Sequence, residues 1–330
     1  MSLKSTIQYT VEVNSALRKI SAAEGIPMAD LWRSFLDSSL VARALLWEYE
    51  LMRLYDYPSY VRRRYLSDRR AMNVSNRLLE NADEEDRLTI GDKSKFNRTF
   101  PDLVRRDWLY VPDSTPEDIR AFLARNGKFL AKDTLSTQGR NIFLFEGETD
   151  PEAFLAEYGG RPFVLEAFIR QHPALAAINP TSVNTVRAVT ACRNGRAELI
   201  GACLRTGGTG AYVDNFHSGG VAFPLDLAEG IVIGAGRSFD GKTFLRHPAT
   251  GYIVPGFAIP HWDLLRRTVT EAALRVPKVG YIGWDVAVTE EGIEFVEANM
   301  DIPDHTLMQM DRPDAYKRLQ DFFARCGEKL

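Results

Sequence analysis

Apolar positions over the first ninety residues recur at roughly helical spacing. Leu40, Leu45, Leu51, Met52 and Leu54 follow that spacing, and no strand-like run interrupts it. Residues 1–90 are therefore predicted as an N-terminal helical region. From residue 91 the pattern changes. Asp92 can cap a short helix that carries Lys93. Thr115-Pro116-Glu117-Asp118 opens another helix, because proline suits the first turn and Asp118 stands three residues beyond the threonine. Ile119, Phe122 and Leu123 give that helix one apolar side, and Gly127 stops it. Lys128–Lys132 reads as a strand, residues 133–140 as a polar loop, and Asn141–Phe145 as a second strand. Asp150-Pro151-Glu152 starts a helix that ends near Gly159-Gly160, and Phe163–Ile169 reads as a buried strand. This β-loop-β-α-β order predicts a compact α+β lobe over residues 91–169.

A second lobe is predicted over residues 170–330. Asn184–Arg193 and Arg196–Arg205 flank Asn194-Gly195, a dipeptide suited to the primed turn of a hairpin. Gly207–Gly220 is a glycine-rich loop. Trp262–Arg275 is an amphipathic helix. Tyr281–Val288 and Ile293–Asn299 form a second hairpin around Glu290-Glu291-Gly292, and residues 311–326 form a closing helix.

Composition narrows the classes. The chain of 330 residues is 45% hydrophobic and 26% charged, with a formal net charge of −3, which argues against a nucleic-acid partner. Three cysteines without CxxC spacing argue against a disulfide framework or a zinc site, and for a reducing compartment. No apolar run approaches the length of a membrane span, and Met1–Val13 lacks a signal-like core, so a cytoplasmic protein is expected. Val61-Arg62-Arg63-Arg64-Tyr65 and Asp68-Arg69-Arg70 form a basic patch. It is either a solvated helix face or a docking surface for an anionic substrate or membrane.

The second hairpin carries the most chemistry. Asp285 and Glu297 lie equally far from Glu291, so pairing about that residue sets the two carboxylates opposite each other. Glu297 and Asn299 are two apart and share a face. Three hard oxygen donors then converge on one patch, a set suited to Mg²⁺, whereas two close carboxylates without a cation repel. Trp284, Val286, Val288, Phe295 and Val296 mark this as a core hairpin and not an exposed polar ribbon. The loop Thr134–Gly139 has small residues whose amides can approach phosphate, and Lys132 just before it can neutralise the same phosphates. Leu165-Glu166-Ala167-Phe168-Ile169 lies between the lobes, where free backbone groups can meet an adenine edge. Alone, Glu166 would be a solvent-facing residue at a strand end. Arg187 and Arg205 sit on paired strands near Asp214–Gly220 and suit a phosphate or carboxylate. His217 in that loop is a base, a ligand or a loop-stabilising hydrogen bonder, the last being favoured.

Taken in order, Asp92-Lys93, Lys132 with Thr137-Gln138-Gly139, Glu166–Ile169, Arg187, Arg205, Asn215–Gly220 and Asp285 with Glu297-x-Asn299 resemble the ATP-grasp superfamily. The likeness spans about residues 90–305. It is closest in flavour to the sugar-transfer-associated ATP-grasp proteins and similar in motif to the ribosomal-protein glutamyl ligase. The resemblance implies an α+β ATP-grasp fold, with two lobes clasping ATP beside the N-terminal helical region. It implies that Lys93 and Lys132 bind ATP phosphates, with Lys95 as the alternative to Lys93. Thr137, Gln138 and Gly139 would form a lid over those phosphates. Glu166 and the backbone at Phe168 and Ile169 would hold adenine, with Gln171 or His172 in place of the usual ribose acid. Asp285, Glu297 and Asn299 would carry two Mg²⁺ ions. Arg187, Arg205, Asn215 and His217 would face the γ-phosphate or the acceptor.

The activity so implied is ATP-dependent joining of a small-molecule carboxylate to an amine through an acyl-phosphate, in cell-surface polysaccharide or peptide-like metabolite tailoring. A kinase acting on a hydroxyl, or a non-catalytic nucleotide-binding partner of a glycosyltransferase, are the alternatives. Glycosyltransferases of the same pathway and a second copy of the chain are the protein partners this reading expects.

Overall fold

The structure, a computed structural model, describes residues 3–135, 141–211, 214, 216, 219–300 and 306–330. The expected lid residues Thr137, Gln138 and Gly139, and the expected acceptor residues Asn215 and His217, lie outside them.

Eleven strands among the described residues form two antiparallel sheets. The smaller contains β1 (Trp108–Tyr110), β2 (Lys128–Asp133), β3 (Ile142–Glu146) and β4 (Phe163–Ala167), in the order β1-β4-β2-β3. The larger contains β5 (Thr185–Arg193), β6 (Arg196–Thr206), β7 (Val221–Pro224), β8 (Gly236–Ser238), β9 (Thr243–Phe244), β10 (Tyr281–Thr289) and β11 (Gly292–Asn299), in the order β11-β10-β5-β6-β7-β8-β9. The strands β1, β7, β8 and β9 carry no alternation long enough to be legible, because they are two to four residues long. The predicted strand Phe163–Ile169 stops at Ala167.

Local signals set the element ends. Asp92 caps the helix Lys93–Thr99 by accepting from the amides of Ser94 and Lys95. Thr115 and Asp118 form a reciprocal capping box on the helix Pro116–Arg125. Asn194 and Gly195 turn β5 into β6 with φ of 51° and 72°, the left-handed pair a primed turn demands.

The N-terminal segment is helical, with helices Leu3–Glu24, Met28–Asp37, Leu46–Leu51, Ser59–Arg62, Asp68–Leu78 and Glu84–Gly91. The basic patch divides. Arg62 is 8% exposed and pairs with Asp37, and Arg70 is half-buried with its guanidinium on the carbonyls of Val41, Arg63 and Tyr65. Arg63, Arg64 and Arg69 remain exposed.

The larger sheet is covered on both faces. Helix Trp262–Arg275 buries Trp262, Leu265, Val269 and Ala272 in one core with Val186, Ala188, Leu204, Trp284, Val286 and Val288. Phe96 and Phe100 join that core, with ring centroids 6.5 and 5.5 Å from Trp284, so the helix carrying Lys93 is anchored beneath the β10–β11 hairpin. On the opposite face Cys203 and Ala222 share a core with Leu17, Phe35, Tyr49, Leu54, Tyr65 and Phe216. The N-terminal helices therefore lie on the sheet face that carries the charged residues described next.

Candidate active site between the two sheets

Strand pairing arranges the charged residues of the larger sheet in rows. One row runs Glu297, Asp285, Arg187, Cys203 across β11, β10, β5 and β6. The adjacent rows run Glu294, Ala287, Thr185, Arg205 and Asn299, Gly283, Val189, Gly201. Directly paired residues share a face, so Glu294, Glu297, Asn299, Asp285, Arg187 and Arg205 all point one way.

Two β-bulges make this possible. The turn of the second hairpin pairs Thr289 with Gly292, half a residue before the expected centre, and continuing that register would set Asp285 opposite Val296. An extra residue at Val296 restores the Asp285–Glu297 pair. In the first hairpin an extra residue at Ile200 shifts β6 by one and brings Arg205 to the face of Arg187.

The charges are tightly engaged. Arg187 holds Asp285 with two parallel bonds, Nε to Oδ1 at 2.6 Å and Nη2 to Oδ2 at 2.9 Å. Arg205 Nη1 adds contacts of 3.2 and 3.3 Å to the same carboxylate, and its Nη2 reaches Asp214 Oδ1 at 3.5 Å. Thr185 donates its hydroxyl to Asp214. Burial raises the Asp285 carboxyl, but Arg187 and Arg205 outweigh it and hold the group below the usual carboxylate range. For Asp214 burial wins over Arg205, with Asp285 adding to it, and the carboxyl is raised.

The smaller sheet contributes a second knot. Lys132 on β2 and Glu166 on β4 are diagonal neighbours, because Leu130 faces Glu166 and Lys132 faces Val164. Lys132 Nζ lies 2.6 Å from Glu166 Oε2. Glu166 Oε1 accepts from Asn97 Nδ2 at 3.0 Å and Arg106 Nη2 at 2.8 Å. Glu166 is 2% exposed, so it is neither the solvent-facing residue its position suggested nor a carboxylate offered to a base. Burial pushes it up, and the charges of Arg106 and Lys132 more than reverse that.

Arg106 joins the two sheets. Besides Glu166, its Nη1 donates to Glu294 Oε1 at 3.0 Å and to the Phe295 carbonyl at 2.6 Å, and its Nη2 to the Val296 carbonyl at 3.1 Å. One buried guanidinium thus spans β4 and the bulge that orients Glu297. Neither Arg106, Asn97 nor Glu294 stands out in the sequence. Arg106 sits in an unpatterned Arg-Arg-Asp run, and its partners are 60 and 188 residues away.

Lys93 is buried and Lys95 exposed, which favours the former as a cleft residue. Burial pushes the Lys93 ammonium down. Glu297 opposes that and Lys132 adds to it, so Lys93 feels both knots. Other expectations are corrected. The Phe168 amide donates to the Lys128 carbonyl at 3.1 Å, and Lys128 Nζ lies 4.4 Å from the Phe168 ring centroid, so this amide is not free for adenine. Ile169 is half-buried just past the strand end. Gln171 bonds the carbonyls of Asn179 and Ser182 and accepts from Asn184, and His172 caps the helix Pro173–Ile178. Both side chains therefore have structural work in place of a ribose contact.

The sequence profile of the sugar-transfer associated ATP-grasp family matches residues 140–323, more than half of the chain. The chain belongs to that family. Both knots of the sugar-transfer associated ATP-grasp chain draw on the matched region, through Asp285 and Glu166, as does the Arg106 bridge through Glu294, while Lys93, Arg106 and Lys132 precede it. No protein of curated function matches the chain. Among solved structures, a RimK domain ATP-grasp protein from Sphaerobacter thermophilus is 17% identical, with 72% of this chain and 68% of that chain covered and a TM-score of 0.43. The ATP-grasp ligase PsnB, complexed with minimal precursor, Mg and ADP, is 15% identical over 66% of this chain and 52% of its own, with a TM-score of 0.39. N5-carboxyaminoimidazole ribonucleotide synthetase from Thermus thermophilus is 15% identical over 69% and 51%, with a TM-score of 0.40. This family member thus spans about half the length of the last two.

Proposed function

We propose that this family member is an ATP- and Mg²⁺-dependent ligase that joins a carboxylate to an amine through an acyl-phosphate. The observation that carries the reading is the balanced charge set between the sheets. Lys93, Arg106, Lys132, Arg187 and Arg205 face Glu166, Asp214, Asp285, Glu294 and Glu297, all buried or half-buried. Buried ion pairs add little stability over apolar packing, so ten such charges in one cleft point to a ligand. ATP brings about four negative charges and two Mg²⁺ ions offset them, so the complex enters without net charge.

The donor set fits Mg²⁺. Glu297 and Asn299 offer hard oxygens from one strand face, and the Asn299 amide nitrogen is buried without a hydrogen-bond partner among the described residues, so this side chain is not tied to the protein there. Glu297 and Asn299 would hold the metal, with Asp285 as their row neighbour. Bound Mg²⁺ would neutralise and orient phosphate oxygens. Lys93 and Lys132 would bind the phosphates, with Glu166 fixing Lys132. Arg187 and Arg205 would exchange Asp285 for the transferring phosphate. Thr137, Gln138 and Gly139 are proposed as the lid, and Asn215 and His217 as acceptor contacts. The half-buried side chains of Phe168 and Ile169 would pack against adenine.

In this scheme a carboxylate oxygen attacks the γ-phosphorus and ADP departs. The amine nitrogen then attacks the acyl carbon, loses its proton, and phosphate leaves. Positioning and charge neutralisation are what the protein supplies. The smaller sheet (within residues 91–169) and the larger sheet (within 170–330) would be the two ATP-clasping lobes. The helices of residues 1–90, packed on the charged face, would wall the acceptor side. The family's description as sugar-transfer associated supports an acceptor in sugar-polymer assembly, with a uronic acid as the first carboxylate to try.

The test is ADP and phosphate release with Mg²⁺ over carboxylates and amines, including uronic acids, with Glu297→Gln as control. Acceptor-dependent release of both products, lost in the variant, supports the ligase. ADP with a phosphorylated acceptor and no free phosphate would make it a kinase. MgATP binding without turnover would make it a nucleotide-binding partner.

A further inference from the structure

The arginines near the N-terminus are not used by the cleft, and they sit among exposed apolar side chains. Eight of the fifteen large apolar side chains exposed among the described residues fall within residues 7–72. The π-helical turn Ser38–Ala42 and the helix Ser59–Arg62 are pinned side by side. Ser59 and Arg62 both bond Asp37, at 2.9 and 2.8 Å, and Arg70 bridges the carbonyls of Val41 and Arg63. This brings Leu40, Arg43, Tyr60, Arg63 and Arg64 onto one stretch of surface. Leu40, 79% exposed, is the most exposed large apolar residue described, and Tyr60 is 65% exposed beneath Arg64, 6.0 Å away. Trp47, 41% exposed, follows on the next helix, which Glu48 ties to the Asp68 amide.

Arg43, Arg63 and Arg64 pair with no carboxylate among the described residues, whereas Arg62 next to them is consumed by Asp37. A purely solvated face would not project Leu40 and Tyr60 beside unpaired arginines, and a nucleic acid would leave Leu40 uncovered. Apolar tips and an aromatic ring interleaved with arginine are the composition of a surface that seats in lipid headgroups. We infer that this N-terminal face docks the protein peripherally on a bilayer carrying anionic phospholipids. No helix of the described residues is long and apolar enough to cross a membrane.

The experiment is co-sedimentation of the full chain with vesicles of phosphatidylcholine alone and of an equimolar mixture with phosphatidylglycerol. Binding is expected only to the mixture. Each arginine near an anionic surface contributes about a fivefold factor, so Arg43→Ser/Arg63→Ser/Arg64→Ser should weaken partitioning about 100-fold. Leu40→Ser/Tyr60→Ser should weaken it about tenfold without changing its salt dependence. Unchanged melting temperatures establish that both variants fold. Failure to bind the mixture, or equal binding by the triple variant, overturns the inference. So does capture by heparin or short RNA that Leu40→Ser/Tyr60→Ser leaves untouched, which would assign the face to a soluble polyanion.

Discussion

Replacing Arg106 with methionine removes a side chain that touches both sheets at the cleft. The guanidinium makes four bonds, to Glu166, Glu294 and the carbonyls of Phe295 and Val296. Breaking a buried ion pair by deleting one partner costs about 3–5 kcal/mol. Here Glu166 keeps Lys132 at 2.6 Å and Asn97 at 3.0 Å, and Glu294 keeps the Arg106 backbone amide at 2.9 Å. The lower figure, about 3 kcal/mol, is therefore expected. Unfolding entropy of about 2.1 cal/mol/K per residue over 330 residues converts that to a drop in Tm of about 4 °C.

A melting series with and without MgATP reads both consequences. Arg106→Met should lower the Tm and also shrink the stabilisation by MgATP, because Lys132 and Glu297 lose a common anchor. Arg106→Lys keeps the charge but cannot serve four acceptors, and should fall between. Removing Glu166 as well, in Arg106→Met/Glu166→Gln, should cost less than the sum of the two single changes, since the pair they share is lost only once. An Arg106→Met protein melting within about 1 °C of the parent, with the same MgATP shift, would refute the reasoning.

The pH dependence has a definite sign. Glu166 and Asp285 are held below their ordinary values of 4.5 and 3.8, so they contribute stability that is present above those values and lost as pH falls further. Asp214 and Glu48, raised by burial, act in the opposite sense, their contribution being lost as pH rises. Glu166→Gln should therefore flatten the fall in Tm below about pH 4.5, read by acid titration of the melting curve. Phe100, fully buried between Phe96 at 5.0 Å and Trp284 at 5.5 Å, should cost about 3–5 kcal/mol as Phe100→Ala in denaturant titration. MgATP affinity should weaken with it, because Phe100 anchors the end of the helix that carries Lys93. Gly280 lies where a Cβ would meet the Cys192 carbonyl at 2.5 Å and that of Leu78 at 2.7 Å. Gly280→Ala should cost about 1–3 kcal/mol by chemical denaturation and loosen the docking of the helix Asp68–Leu78 on β10.

Much of the fold is legible where one residue states a local rule. Asn194-Gly195, Thr115 with Asp118, and Asp92 each define an element end within a residue or two. The β1 and β7–β9 strands are not legible, since two to four residues show no alternation, and β1 depends besides on the distant partner β4. Glu166 shows the same limit. A glutamate beside a strand end is ordinarily solvated, and only the arrival of Lys132, Arg106 and Asn97 makes its burial tolerable.

The carboxylate pair is the instructive case, because the expectation is met by a different route. Counting outward from Glu291 pairs Asp285 with Glu297, yet the turn itself is centred half a residue earlier. Had β11 continued regularly, Glu297 would point into the core beside Trp284. The extra residue at Val296 turns it back, and the carbonyls of Phe295 and Val296 are the two that Arg106 holds. An apolar valine gives no hint of a bulge in the pattern, and its anchor lies 190 residues upstream. The bulge at Ile200 does the same for Arg205 against Arg187. Residue types and spacing thus single out the groups proposed for the chemistry. The face they share is set by two single-residue insertions in the ladders, one of them bonded to Arg106. The orientation of Glu297 and the position of Lys132 therefore depend on the same buried cation, and a change at Arg106 should disturb both together.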